Sequence, residues 1–173
     1  MNNRPKIRAA KYTIYGLFML ALYILQTTPG FLSVFGLKPN LVLPVAMAVA
    51  VCEGEFPGGI FGAAAGVLCD FGAVSLFGFQ GAVLLACCTA AGLLTVYLLR
   101  PTMVNFILLL AASLLIHGML IYLLSFYMWD YEDVGLVLTH RILPGIVYTL
   151  LLSPLSFLVV RRLHERFEEW LEE

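Results

Sequence analysis

Charge is what this sequence has least of. Only 12% of its 173 residues are Asp, Glu, Lys or Arg, against about a quarter in an ordinary soluble domain. That scarcity excludes a charged shell around a water-soluble core, and a net charge of −1 leaves no global field for nucleic acid. Cysteine is limited to Cys52, Cys69, Cys87 and Cys88, all inside apolar runs. They show neither C-x-x-C nor Cys/His ligand spacing, so they read as small buried hydrophobes, not as a metal site or a disulfide frame. Catalytic signatures are missing too. No G-K-[ST] follows the glycine-rich stretch, and no H-E-x-x-H, Ser/His or paired-Asp set is found, so neither an enzyme nor a cofactor is expected. The start, with Arg4, Lys6, Arg8 and Lys11 before an apolar run, imitates a leader. The following QTTPGF has no small-x-small cleavage pattern, so an uncleaved first span is the reading.

What the chain has is hydrophobic length. Apolar residues make up 61% of it, which marks an all-α, polytopic membrane protein forming one domain over residues 1–173. The apolar runs predict spans at about 12–27, 41–52, 57–71, 79–99, 103–128 and 142–160. The first, fourth, fifth and sixth can cross a hydrocarbon core that needs roughly 20 helical residues. The second and third are short and flank CEGEFPGG, which fits either two short helices with a tight turn or one broken span. Loop charge arbitrates. Six transmembrane helices with a cytoplasmic N-terminus place eight of the ten Lys and Arg inside and two, Lys38 and Arg141, outside; five spans give five against five. The positive-inside rule favours six, with both termini cytoplasmic. In this reading Glu53 and Glu55 are solvated turn residues, and WDYEDVG (129–135) is an outer loop with interfacial aromatics. Residues 161–173 read either as a short amphipathic cytoplasmic tail, whose Leu163, Phe167, Trp170 and Leu171 recur at helical spacing and could lie on the inner headgroups, or as a solvated, frayed end. Arg161 and Arg162 read as ordinary anchors to the inner leaflet. The helix break near Pro57 has no counterpart in the second half, so the inverted repeat of a secondary transporter is not seen.

The third run poses a sharper question. Gly58, Gly62, Gly66 and Asp70 stand four residues apart in GGIFGAAAGVLCDFG. Between helices in lipid, burial of apolar area gains little and close packing takes over, so small residues mark a helix crossing, within the chain or with a partner. Each four-residue step drifts about 40°, so the stripe winds round the helix. Asp70 is read as a buried hydrogen-bonding group, an interfacial carboxylate or a partner contact, and His117 as a buried imidazole bonded to backbone or Ser113.

Taken together, FGLKPNLVLP (35–44), the glycine-rich segment ending GVLCDFG, LFGFQGAVLL (76–85) and ILPGIVYTLLLSPLSFLVVRRL (142–163) resemble the rod shape-determining protein MreD family over nearly the whole chain. The resemblance places Pro39 and Asn40 at the proline-acid-leucine opening of the second span. It matches Asp70 to the family's aspartate, Gly78 and Gly81 to the leucine-glycine element, and Pro144 and Tyr148 to the proline-tyrosine opening of the last span. Asn40 stands where Asp is frequent, and Thr149 where Asn is common. The resemblance implies a six-helix fold similar to the substrate-binding subunits of energy-coupling factor transporters. It also implies a scaffold role in the bacterial plasma membrane, helping to position peptidoglycan synthesis and maintain rod shape. MreC would be the direct partner, with RodA, a class B penicillin-binding protein and MreB in the same complex, surrounded by membrane lipid; self-association is a further possibility. The runner-up is a vitamin-binding subunit of an energy-coupling factor transporter. Its usual Ala-x-x-x-Ala docking surface on the first helix is missing, since Ala21 has Leu17 and Leu25 as its four-spaced neighbours.

Overall fold

A computed structural model describes residues 4–28, 39–71, 77–123 and 143–172. Six helices run through them: α1 (Arg4–Thr27), α2 (Val42–Glu53), α3 (Glu55–Phe71), α4 (Phe79–Tyr97), α5 (Met103–Tyr122) and α6 (Leu143–Glu172). No strand occurs among the described residues. The C-terminal part of the run 103–128, Lys38, Arg141 and the WDYEDVG loop lie outside them.

Four helices, α1, α4, α5 and α6, are long and apolar enough to cross a membrane. The 12 residues of α2 and 17 of α3 give lengths of about 18 and 26 Å, short of a hydrocarbon core of about 30 Å. Their position explains the shortfall. Every residue of α2 from Val42 to Val51 is buried, because VLPVAMAVAV has no polar face to turn toward solvent or loop. This helix forms the axis of the bundle and touches each of the other five. Pro44 sits in its first turn, where a missing N–H costs no helical bond.

The connections put the chain's two ends side by side. Lys11 of α1 meets Glu53 at the end of α2 and Glu168 near the end of α6. A Cβ placed on Gly54 would lie beside Val96 near the end of α4. At the opposite end Asn40 meets Thr149 of α6 and Cys69 of α3, and Asp70 meets Gly78. Successive helices therefore alternate in direction between a termini end and an opposite end.

Between α2 and α3 the chain reverses at one residue. Gly54 has φ +93°, a region open to glycine and strained for other residues, and its N–H still reaches the Ala50 carbonyl at 3.1 Å. The α6 helix absorbs Pro154 without losing an acceptor's partner. Proline cannot donate to the carbonyl four residues back, and the Ser153 hydroxyl donates to that carbonyl, Leu150 O, at 2.7 Å. The outer surface is apolar: Leu17, Ile24, Val104, Leu108, Met119, Leu151 and Leu155 are each more than half exposed, as an all-α membrane protein requires where lipid is the solvent.

Candidate functional site

The glycine stripe is filled from within the chain. A Cβ on Gly58 would strike Ala50 of α2, and one on Gly62 would lie 2.6 Å from Leu84 O and 2.8 Å from the Cys88 Cβ. A Cβ on Gly66 would collide with the backbone of Gly81 and Gln80. The drift of the stripe accounts for the division: Gly58 faces α2, while one and two steps later Gly62 and Gly66 have rotated onto α4. Two further glycines complete the seam. Gly59 lies against Thr89, and Gly92 of α4 against the Gly54–Glu55 backbone. The antiparallel pair α3–α4 is thus closed backbone to backbone, which leaves this face no room for a partner helix.

Where the seam ends, Asp70 closes it. Its Oδ2 accepts the N–H of Gly78 at 2.8 Å and of Gly81 at 3.4 Å, capping the first turn of α4 where backbone donors have no helical partner. Gly78 takes φ +90° to turn the chain into the helix. Asp70 is 4% exposed, so it is a buried capping carboxylate. Its Oδ1 has no partner among the described residues.

A second junction at the same end caps α2. The Asn40 side chain accepts from Leu43 N–H at 3.2 Å, its backbone N–H donates to Thr149 Oγ1 at 3.0 Å, and Gln26 accepts from Leu41 N–H at 2.7 Å. Thr149 in turn donates to Gly145 O at 2.8 Å. The capping interaction uses an amide oxygen, so the neutral Asn40 performs it without a charge. Pro39 is buried beside it, Pro144 opens α6, and Tyr148 is half-buried. The link between the two helices is carried by Thr149, not by Pro144 or Tyr148.

Between α5 and α6, next to Asn40, is a partly open cavity of about 180 Å³. Leu114, Ile121 and Ile146 supply apolar wall; His117, Asn40 and Thr149 supply polar groups. His117 is 7% exposed, and its Nε2 has no partner among the described residues.

The sharpest departure from the sequence reading lies at the termini end. Glu53 is not a solvated turn residue: its side chain is 8% exposed and its Oε1 lies 2.6 Å from Lys11 Nζ, 2.7 Å from His164 Nδ1 and 3.0 Å from the Tyr15 hydroxyl. Glu168 adds a second carboxylate 2.7 Å from Lys11. A carboxylate at the edge of an apolar run is withdrawn from water when a long lysine side chain can reach it, and turn composition alone cannot reveal that reach. Ligand atoms of Glu53, His164 and Glu168 lie within 4.8 Å of one another, a spacing able to hold a cation; the Lys11 ammonium supplies that charge itself. Burial alone would push the Glu53 carboxyl above its usual carboxylate range, but the hydrogen bonds from His164 and Lys11 outweigh it and hold the group below that range.

The expected amphipathic tail is continuous with α6, and its polar His164 and Glu168 dock on α1 while Phe167 is buried. The side chain of Leu171 lies outside the described residues. All four cysteines are free thiols. Sequence reasoning also missed Gln26, Gly59 and Gly92. The two glycines carried a signal, since each stands where the opposite helix of an antiparallel pair would need a small residue. Gln26 carried none. No family model, curated protein or solved structure matches the chain.

Proposed function

We propose that the chain is a non-catalytic membrane scaffold of the rod complex, of the MreD kind, binding MreC directly with RodA, a class B penicillin-binding protein and MreB in the same assembly. The observation that carries the reading is the order and spacing of the motifs around Pro39–Asn40, Asp70, Gly78–Gly81 and Pro144–Tyr148. The geometry supports it in one respect: Asn40, Asp70, Gly78 and Gly81 are spent on caps and a closed seam, which makes a stiff body able to hold partners in one arrangement. With the glycine stripe occupied internally, the partner surface falls on the outer apolar faces, of which α1, with Leu17, Leu20 and Ile24 outward, is the least covered.

We further propose six crossings of the bacterial plasma membrane with the termini end cytoplasmic. All eight described Lys and Arg belong to segments at that end, in keeping with the positive-inside rule. A vitamin-binding subunit is the weaker reading, because a cavity of about 180 Å³ is smaller than the roughly 300–1,000 Å³ that encloses a drug-sized ligand.

The test is co-purification of tagged MreC with the chain, combined with single-site photocrosslinkers at Leu17, Leu20 and Ile24 on α1 and at Val104 and Leu108 on α5. Stoichiometric capture with crosslinks on one of these faces is expected. Failure of MreC to co-purify from a membrane in which the chain accumulates normally would reject the scaffold reading. Reporter fusions after Arg100 and at the C-terminus test the crossings, and an outward-facing C-terminus would reject six.

A further inference from the structure

In lipid a helix is held by close packing and by polar bonds, since burying apolar area away from apolar tails gains little. By that measure α1 is joined differently from its neighbours. The α3 and α4 helices meet so closely that a Cβ on Gly62 or Gly66 would collide with the facing helix. On α1 the single glycine is Gly16, and a Cβ there would meet nothing within 4 Å. Its buried side chains are Lys11, Tyr15 and Met19, three against seven on α4 and six on each of α3 and α5. Phe18, Leu22 and Tyr23 are only partly buried against the core.

The specific attachments of α1 are polar and lie at its two ends. Two of the three buried side chains converge on one atom, Glu53 Oε1, with Lys11 Nζ at 2.6 Å and the Tyr15 hydroxyl at 3.0 Å. From α6, Glu168 and His164 reach the same ammonium at 2.7 and 3.2 Å. At the opposite end Gln26 accepts the Leu41 N–H at 2.7 Å. We propose that α1 is a strap, a helix that leaves the body formed by α2 to α6 as a unit when the clamp at Glu53 opens. Its backbone bonds run within the helix, so departure breaks none of them. Lipid replaces the contacts of Phe18 and Leu22 at little cost. The Lys11 ammonium has a short path to water, because Arg8 and Arg4 in the turns before it are exposed and a lysine stem extends toward the membrane surface. The α3–α4 seam and the Asp70 cap contain no residue of α1, so the body stays closed. The two positions differ in what α1 offers a partner. Closed, it turns Leu17, Leu20 and Ile24 outward; open, it uncovers Tyr15 and Met19 as well. A partner helix that binds the wider face therefore draws the strap open, whichever protein supplies it.

The test is double electron–electron resonance on the full chain in phosphatidylcholine nanodiscs, with spin labels carried on non-canonical residues so that the four free thiols stay in place. Labels at Leu17 of α1 and Leu108 of α5 report the strap, and labels at Ile60 of α3 and Leu108 report the body; all three sites are more than half exposed. Wild type is expected to show one main separation for each pair. In Glu53→Gln the share of a second, longer Leu17–Leu108 separation should rise at least about tenfold, while the Ile60–Leu108 separation is unchanged. If Glu53→Gln does not accumulate, Lys11→Met removes the ammonium instead and carries the same expectation. An unchanged Leu17–Leu108 distribution in the variant overturns the strap. So does a broadening of both pairs together, which marks loosening of the whole bundle.

Discussion

The two ends of this bundle use the same side-chain chemistry and reach opposite states. At the termini end a carboxylate and an imidazole, Glu53 and His164, close on Lys11 and Tyr15, with three donors converging on one oxygen. At the opposite end a carboxylate and an imidazole, Asp70 and His117, each keep an atom without a partner among the described residues. The difference lies in reach. Lysine spans four methylenes and brings its charge from α1 across to α2 and α6, whereas Asp70 is held short by the α4 N–H groups it caps. One set of functional groups is drawn into a single cluster at one end and spent on separate local contacts at the other, and substitution separates the two.

The largest effect is expected for Glu53→Ala. Removing one partner of a buried pair leaves the Lys11 ammonium, 2% exposed, with the half-exposed Glu168 as its one carboxylate among the described residues, and the loss should be about 3–5 kcal/mol in SDS- or urea-induced unfolding followed by helical circular dichroism. A loss below about 1 kcal/mol would show that the clamp carries no stability. Asp70→Ala should cost less, about 1–2 kcal/mol, because it removes a cap while the α3–α4 seam stays closed.

Acid sharpens the contrast. The Glu53 carboxyl is held below its ordinary value of 4.5, so the protonated form is disfavoured in the folded state. Its contribution is fully present above that value and is lost as pH falls through the lower, folded-state value. Wild-type unfolding free energy should therefore fall below about pH 4.5, and Glu53→Gln should flatten that decline; parallel curves would exclude Glu53 as its source. Smallest of all is Glu168→Gln. Its carboxylate is 48% exposed and solvent screens the pair, so a change of at most about 1 kcal/mol is expected in the same assay.

Much of the fold was legible because its signal is local. Helix positions follow from apolar runs bounded by Gly, Pro and charge, and five of the six helix starts fall within two residues of the sequence reading. The exception, α1, begins at Arg4 because its basic residues continue the helix beyond the apolar run. Legible too was the need for close contact at Gly58, Gly62 and Gly66. Which helix they would meet was not, since small residues declare proximity without naming a neighbour. The cap by Asp70 was open for a different reason: a lone carboxylate in an apolar segment needs a donor, and candidates eight and eleven residues onward, Gly78 and Gly81, lie beyond any helical period.

By itself, then, the sequence determined a membrane-embedded helical chain, its helix positions, and the small-residue face of α3, because hydropathy and side-chain volume act over a few residues at a time. Only the tertiary structure decided that α2 is the axis, that the stripe is shared between α2 and α4, and that Lys11, Glu53, His164 and Glu168 form one cluster. Those partners lie up to 157 residues apart, and an interaction between charges is fixed by distance in space, to which separation along the chain gives no guide.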